Sequence, residues 1–224
     1  MADGPFADPV TAKAPARKQQ RRRNPENTKR DILNAARLEF CEHGLGGARV
    51  DRIALRAAAN KRLLYHYLGN KEDLYAAVLL DAYREIREGE SALHLEALAP
   101  DEAMRRLVRF TFDHFHANPW FIRLLATENI LRGQFVRQIA EIPRMHSPIV
   151  QQIATLLKAG EAAGQFRPGV DPVHLYISIA GLSYFYFSNI HTLSAIFAVP
   201  LTDPAEVAAR RDHVEAVILG FLRA

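Results

Sequence analysis

The chain has 224 residues, 49% of them hydrophobic, a single Cys41 and a formal net charge of +4. That is enough apolar material for a large helical core or two subdomains; one cysteine excludes an internal disulfide framework and fits a reducing cytoplasm, and no apolar run reaches the roughly 18 residues of a membrane span. Residues 1–75 hold 15 Lys and Arg against 9 Asp and Glu, the remainder 14 against 16, so the basic excess, the footprint of a nucleic-acid-binding module, lies in the N-terminal third.

Residues 1–26 lack apolar periodicity and are expected to be a disordered basic arm. Asp3, Asp8 and several prolines stand where the apolar core of a signal peptide would be. Arg17, Lys18, Arg21, Arg22 and Arg23 cluster just before the first helix. Such an arm either tracks phosphates or the adjacent minor groove, or serves as a solubilising tail. The first helix is expected over residues 28–43, with Ile32, Ala35, Ala36 and Phe40 as its inner stripe and Gly44 as its stop. Cys41 beside Phe40 reads as a small core residue.

Residues 48–74, ARVDRIALRAAANKRLLYHYLGNKEDL, carry the most information. Val50, Ile53, Ala54 and Ala57 share one face of a two-turn helix. Asn60 can cap a second short helix ending near Tyr67, in which Leu64 turns inward. Lys61, Arg62, Leu63, Tyr65, His66 and Tyr67 are left to face outward. Gly69 ends that helix, and Asn70 can cap the next. A helix too short to stand alone, bearing two cations and three hydrogen-bonding rings, suits the second helix of a helix-turn-helix lying in the DNA major groove. Arg62 suits a bidentate guanine contact, while Lys61, Tyr65 and Lys71 suit phosphates. The bland alternative is a helical hairpin with a solvated basic face.

The segment 28–80 resembles the N-terminal domain of TetR-family transcriptional regulators through ILNAARLEFCEHG, VDRIALRAA and NKRLLYHYLGNKEDLYAAVL. The resemblance implies backbone contacts for Tyr65, Tyr67 and Lys71. It places Asn60, Lys61, Arg62 and Leu63 at the start of the recognition helix, with His66 beside them and Arg49 at the entry of the preceding helix. Ala58 and Ala59 depart from the family's usual Gly and Val in the turn, and a positive φ at Ala58 would cost about 1 kcal/mol. Gly69 replaces a frequent Pro, Leu68 a frequent Phe, and Arg49 a capping Ser or Thr.

The next pattern, Tyr75, Val78, Leu79, Ala82 and Ile86, predicts a long helix to about Gly89, linking the DNA end to the second half. Asn118-Pro119, Asp171-Pro172 and Asp203-Pro204 each pair a capping residue with a proline, and Glu206 completes a capping box with Asp203. Helices are therefore expected near 101–117, 119–132, 135–163, 172–196 and 204–223. The fold expected is all-α: a three-helix helix-turn-helix domain (27–75) after the arm (1–26), and a helical ligand-binding and dimerisation domain (76–224). Residues 175–190 are apolar around most of the circumference, and Val207, Val214, Val217, Ile218, Phe221 and Leu222 stripe the last helix. The resemblance implies a homodimer through these last two helices. NPWFIRLLATENILRG and VDPVHLYISIAGLSYF are loosely similar to the uracil-sensing repressors of pyrimidine utilisation. Effector domains on this fold are diverse, so no ligand follows.

No nucleophile motif, phosphate loop, zinc pair or metal motif is present in the sequence, and neither enzymatic activity nor a cofactor is expected. His114 and His116, two apart on a helix, point to different faces, and His146 and His174 are isolated. Glu128 completes the apolar stripe of Phe121, Leu124, Leu125 and Leu131, where a carboxylate is costly unless paired. Either Arg132 pairs with it, or Glu128 and Asn129 are polar contacts in an effector cavity walled by Phe112, Phe115, Trp120, Phe121, Tyr176 and Tyr184. The expected protein is a cytoplasmic, ligand-responsive repressor that binds double-stranded DNA at a pseudo-palindromic operator. Activation, or effector-independent DNA binding, is the alternative. Deleting residues 1–24 should weaken DNA binding and flatten its dependence on salt, because counterion-releasing contacts are lost. An unchanged salt slope in the truncated protein would sink the role given to the arm.

Overall fold

Pro25 is already helical in the computed structural model, which describes residues 25–223, so the arginine and lysine cluster of the arm lies outside the described residues. α1 (Pro25–Gly47) thus includes Pro25 and Glu26, ahead of the expected Thr28. Its regular geometry breaks at Gly44, whose φ of 64° and ψ of 176° bear out the stop read there. α2 (Val50–Arg56) and α3 (Lys61–Leu68) follow, and α4 (Lys71–Ser91) leads out of the N-terminal part. The second half holds α5 (Pro100–Ala117), α6 (Pro119–Ile130), α7 (Glu141–Ala162), α8 (Pro172–Phe197) and α9 (Pro204–Leu222). Among the described residues the only β pairing is one bridge between Phe166 and Arg223.

One helix expected from the sequence, over residues 135–163, is shortened at its start. After α6 the chain turns through positive φ at Arg132 and Gly133, forms a single 3-10 turn at Val136–Gln138, and begins α7 only at Glu141. Glu128 causes this. Its Oε2 accepts hydrogen bonds from the amides of Phe135 (3.2 Å) and Val136 (3.1 Å). The Gly133 amide closes on the Glu128 carbonyl at 2.7 Å. The turn then delivers Phe135 edge-on to Tyr75, with ring centroids 5.1 Å apart. The expected Glu128–Arg132 pair does not form. Backbone amides meet one oxygen of this buried acid instead, offsetting part of its desolvation, while Oε1 has no hydrogen-bond partner.

Two cores form. The first joins α1 to α4 with α6 and the Phe135 turn, through Ile32, Phe40, Ile53, Leu64, Tyr75, Leu79, Phe121 and Leu124. The second joins α5, α7, α8 and α9 through Leu107, Phe112, Ile153, Ile179, Val214 and Ile218. The DNA-proximal core is therefore continuous with α6 of the second half. Residue 75, the boundary expected from the sequence, lies inside α4. Cys41 is half-buried, 3.2 Å from the Trp120 carbonyl, and burial pushes its thiol up to about 11, so it is an unreactive packing residue. The capping expectations divide. Asp171 accepts from the His174 amide, whereas Asp203 makes no side-chain cap. Asn118 turns away to the His114 carbonyl and the Trp120 indole.

Ala58 takes φ 47°, the left-handed conformation that the missing glycine would have accepted freely. Replacing Ala58 with Gly should therefore raise the free energy of unfolding by about 0.5–1 kcal/mol. The check is the urea midpoint of the two proteins at 25 °C, and a midpoint that stays or falls would show that the strain is not there.

Candidate recognition helix and effector cleft

α2 and α3 are too short to persist alone, and each is pinned by specific contacts. Arg49 precedes α2 and offers no side-chain cap; its backbone N–H instead donates to Glu39 Oε1 at 2.9 Å, the same oxygen that takes Arg52 Nε at 2.7 Å. Glu39, wholly buried on α1, thus takes the N-cap amide from a distance, the bond that the acid of a capping box makes locally. Burial alone would raise its carboxyl, but the hydrogen bonds from Arg52 and the Arg49 amide outweigh that and hold it below the usual range. Between the helices, the Ala59 amide donates to the Ala54 carbonyl at 2.9 Å, and Asn60 Oδ1 accepts from the Arg62 amide at 2.9 Å. The predicted cap at Asn60 is present.

Leu64 and Leu68 anchor α3 in the core. That leaves Asn60, Lys61, Arg62, Tyr65 and His66 exposed, with Arg49 exposed at the entry of α2. Leu63 and Tyr67 are half-buried, and Tyr67 packs at the edge of the first core. Gly69 turns the chain with φ 70°, where an added Cβ would stand 2.4 Å from Asp73 Oδ2. Asn70 and Asp73 then form a reciprocal capping box that starts α4 at Lys71. So eight of the nine residues read from the sequence as DNA contacts fall on α3 and its two flanks, and the ninth, Arg49, precedes α2. A partner was missed: Lys61 Nζ lies 2.6 Å from Asp51 Oδ1 on α2, and the carboxylate holds the ammonium above its usual range. Among the described residues no ion pair engages Arg62, which stays available for a base edge.

The eight effector residues read from the sequence do not converge. Phe115, Asn129, Tyr176 and Tyr184 share a shallow groove of about 270 Å³ between α6 and α8. Phe112 sits in the second core against Phe187, ring centroids 4.8 Å apart. Trp120 is spent on the α1 junction, its face covered by the Arg37 guanidinium at 3.9 Å. Phe121 is buried among Tyr83, His114 and Phe115. Glu128 is committed on one oxygen to backbone amides. These four are packing and turn residues, and Asn129 itself bonds back to the Leu125 carbonyl at 2.8 Å.

A different cluster lies deeper. A cleft of about 610 Å³ opens between α4 and α7, with Arg87 and Glu90 on its α4 wall and Met145, Ile149 and Gln152 on the α7 side. Arg87 Nη1 is 2.8 Å from Glu90 Oε2, and Arg87 Nη2 donates to the Tyr176 hydroxyl of α8 at 2.5 Å. Burial drives the Glu90 carboxyl up to about 7, with the charge of Arg87 and a hydrogen bond from the Tyr176 hydroxyl only partly opposing. Burial, helped by the positive Arg87, lowers His114 to about 4, and burial lowers His146 as well. His116, as expected, faces elsewhere and stacks on Phe187. Glu90 was legible in principle: it continues the stripe Leu79, Ala82, Ile86 at helical spacing, the same signal that singled out Glu128.

Comparison with known proteins agrees with this geometry. Residues 32–78 match the model described as bacterial regulatory proteins, tetR family, and residues 100–218 match a tetracyclin repressor-like C-terminal domain. The chain is similar to the HTH-type transcriptional repressor NicS of Pseudomonas putida, 37% identical over 198 residues that cover 88% of this chain and 93% of that one. It is 25% identical over 195 residues to the HTH-type transcriptional regulator RutR of Escherichia coli K12, covering 87% and 90%. The fatty acid degradation regulator FadR from Bacillus halodurans shares the fold, with TM-score 0.67, 22% identity and coverage of 88% and 96%.

Two substitutions separate reading from anchoring. Arg62→Ala should cost about 1–3 kcal/mol of specific DNA binding and relax preference at one base position. Asp51→Asn, which frees Lys61 and removes a carboxylate from the DNA side, should tighten binding and steepen the salt slope by about one. Titrations by fluorescence anisotropy at several salt concentrations measure both. Equal losses on specific and random duplex for Arg62→Ala would deny it a base contact.

Proposed function

Because the chain belongs to the TetR family of bacterial transcriptional regulators, we propose that it is a ligand-responsive repressor acting as a homodimer on a pseudo-palindromic operator in the cytoplasm. The observation that carries the DNA-binding half is α3: an eight-residue helix held by Leu64 and Leu68, presenting Lys61, Arg62, Tyr65 and His66 to solvent. Such a helix reads a few base pairs, and two of them, one helical turn of DNA apart, read a site. Arg49, Asn60, Leu63, Tyr67 and Lys71 complete the contact surface around it. Repression is carried over from the transcriptional repressor NicS, to which the chain is 37% identical. Among the described residues, no helix is long and apolar enough to cross a membrane.

Dimerisation is supported by what α8 and α9 leave uncovered. Ile177, Phe185, Ile196 and Phe197 of α8 are more than half exposed, and Val217 and Phe221 of α9 lie exposed beside a groove containing Ser178 and Gly181. The stripe read along α9 therefore divides: Val207, Val214, Ile218 and Leu222 are buried within the chain, while Val217 and Phe221 point outward. Large apolar side chains grouped on two adjacent helices are a surface that expects a cover. A two-fold mate presenting the same surface supplies one. The effector then acts by preferring the dimer whose recognition helices are too far apart for both half-sites, and its differential affinity limits the response.

Selection from random duplex DNA with the purified chain at physiological salt should enrich an inverted repeat. The double variant Ile177→Glu, Phe221→Glu should be monomeric by light scattering and lose at least about tenfold in operator affinity while keeping its helical circular dichroism. No enrichment, with binding that collapses as salt rises, would mean that α3 reads phosphates alone. A variant that stays dimeric would move the interface elsewhere.

A further inference from the structure

Glu39, Glu42 and His43 stand at i, i+3 and i+4 on α1, in its last regular turn before the break at Gly44, so one face carries all three. Among the described residues, no other three acid, histidine or cysteine side chains bring their ligand atoms within 4.8 Å of one another. The two oxygens of Glu39 are treated unequally. Oε1 takes the Arg49 amide and Arg52 Nε, whereas Oε2 of the same wholly buried side chain has no hydrogen-bond partner. What Oε2 faces is His43 Nε2 at 4.0 Å, and that nitrogen is 3.8 Å from Glu42 Oε2. Both separations are beyond hydrogen-bond reach. Buried polar atoms are nearly always satisfied, so an open carboxylate oxygen aimed at an imidazole nitrogen and a second carboxylate calls for a partner.

We propose that Glu39 Oε2, Glu42 and His43 Nε2 hold a divalent transition-metal ion of the zinc class, with water in its remaining position. Zinc–oxygen and zinc–nitrogen bonds of about 2.0–2.2 Å set tetrahedral ligand pairs roughly 3.4 Å apart. The side chains therefore close on an ion by small movements from 3.8 and 4.0 Å. A nitrogen donor beside two carboxylates favours zinc over magnesium or calcium, which prefer oxygen alone. The end of a helix carries partial negative charge, which favours a cation there. Arg56 is the competitor. From α2 it holds Glu42 Oε2 at 2.9 Å and keeps that carboxyl below its usual range, and the ion displaces it from this oxygen. Glu39 meanwhile keeps Arg49 and Arg52 on Oε1, so the ion attaches to the side chain that sets the start of α2. Occupancy therefore stiffens the corner between α1 and α2, in the DNA-binding half and apart from the cleft between α4 and α7.

Calorimetry with Zn²⁺ and with Mg²⁺ on the full chain, free of any affinity tag, tests this, together with thermal melts followed by circular dichroism. Expected are saturable binding of Zn²⁺ with a rise in Tm, because an ion that binds only the folded chain stabilises it, and no response to Mg²⁺ at the same concentration. His43→Ala removes a half-exposed ring and should keep the parent's circular dichroism. It should bind Zn²⁺ at least about tenfold more weakly and lose the rise in Tm. Arg56→Gln removes the competing cation and should bind Zn²⁺ several-fold more tightly, a gain that a lone surface histidine would not show. Glu39 is left intact in these variants, since its loss would disturb α2 whether or not it binds an ion. No Zn²⁺ binding by the folded chain, equal binding by His43→Ala, an equal response to Mg²⁺, or binding by Arg56→Gln that is unchanged or weaker would each overturn the site.

Discussion

Arg37 holds the two halves of this protein in one frame. From α1 its guanidinium reaches Asp81 at 2.7 Å and Glu85 at 3.1 Å on α4, and lies flat over the Trp120 ring of α6 at 3.9 Å. Its side chain is only 16% exposed, but Asp81 and Glu85 are 40% and 41% exposed, so solvent screens the pairs and either carboxylate can stand in for the other. α1 packs the helix-turn-helix through Ile32, Ala36 and Phe40, and α6 belongs to the second half. The same cation is thus bonded to the DNA-binding part, to the connecting helix and to the effector part. A planar, fixed charge is the group suited to it, because a lysine could not both fork between two carboxylates and cover an indole.

What Arg37 ties together, α4 carries along its length. Asn70 and Asp73 fix its start beside the recognition helix, and Arg87 and Glu90 lie near its other end. At 1.5 Å per residue, Lys71 and Arg87 are about 24 Å apart along one rigid element. A change in how Arg87 meets Tyr176 of α8 is then felt at α4 as a whole, and through Arg37 at α1. Transmission of this kind requires two discrete arrangements of α4 with different affinity for the ligand.

The helical framework was legible because its signals are local. Asn60, Asn70 and Asp171 cap where a capping residue precedes an apolar period, Gly44 and Gly69 stop helices, and the recognition helix is bounded within eight residues. The signals failed where the partner is distant in sequence. Arg49 lacks a capping side chain, and nothing nearby in sequence shows that Glu39 substitutes for it. Helix propensity runs through residues 135–140, but the Glu128 carboxylate takes the Phe135 and Val136 amides and turns the segment away from helix. The residues proposed as one effector wall are divided between a groove and the cores for a related reason. Aromatic residues such as Phe112 and Trp120 satisfy a cavity and a core equally well on paper, and only packing decides which.

Glu39, Glu90 and Glu128 occupy the same place in the pattern, each an acid completing an apolar stripe. Their difference lies entirely in what meets them. Glu39 has an arginine and an amide on one oxygen and holds α2. Glu128 has two amides on one oxygen and shapes the turn before α7. Each repays its burial with local structure, and that structure would be lost with it. Glu90 joins helices instead: it pairs with Arg87 on its own α4 and shares the Tyr176 hydroxyl of α8 with it, and burial still raises its carboxyl to about 7. The stripe position therefore finds the buried acids, and what meets each one decides whether it holds a short helix, shapes a turn or joins two helices.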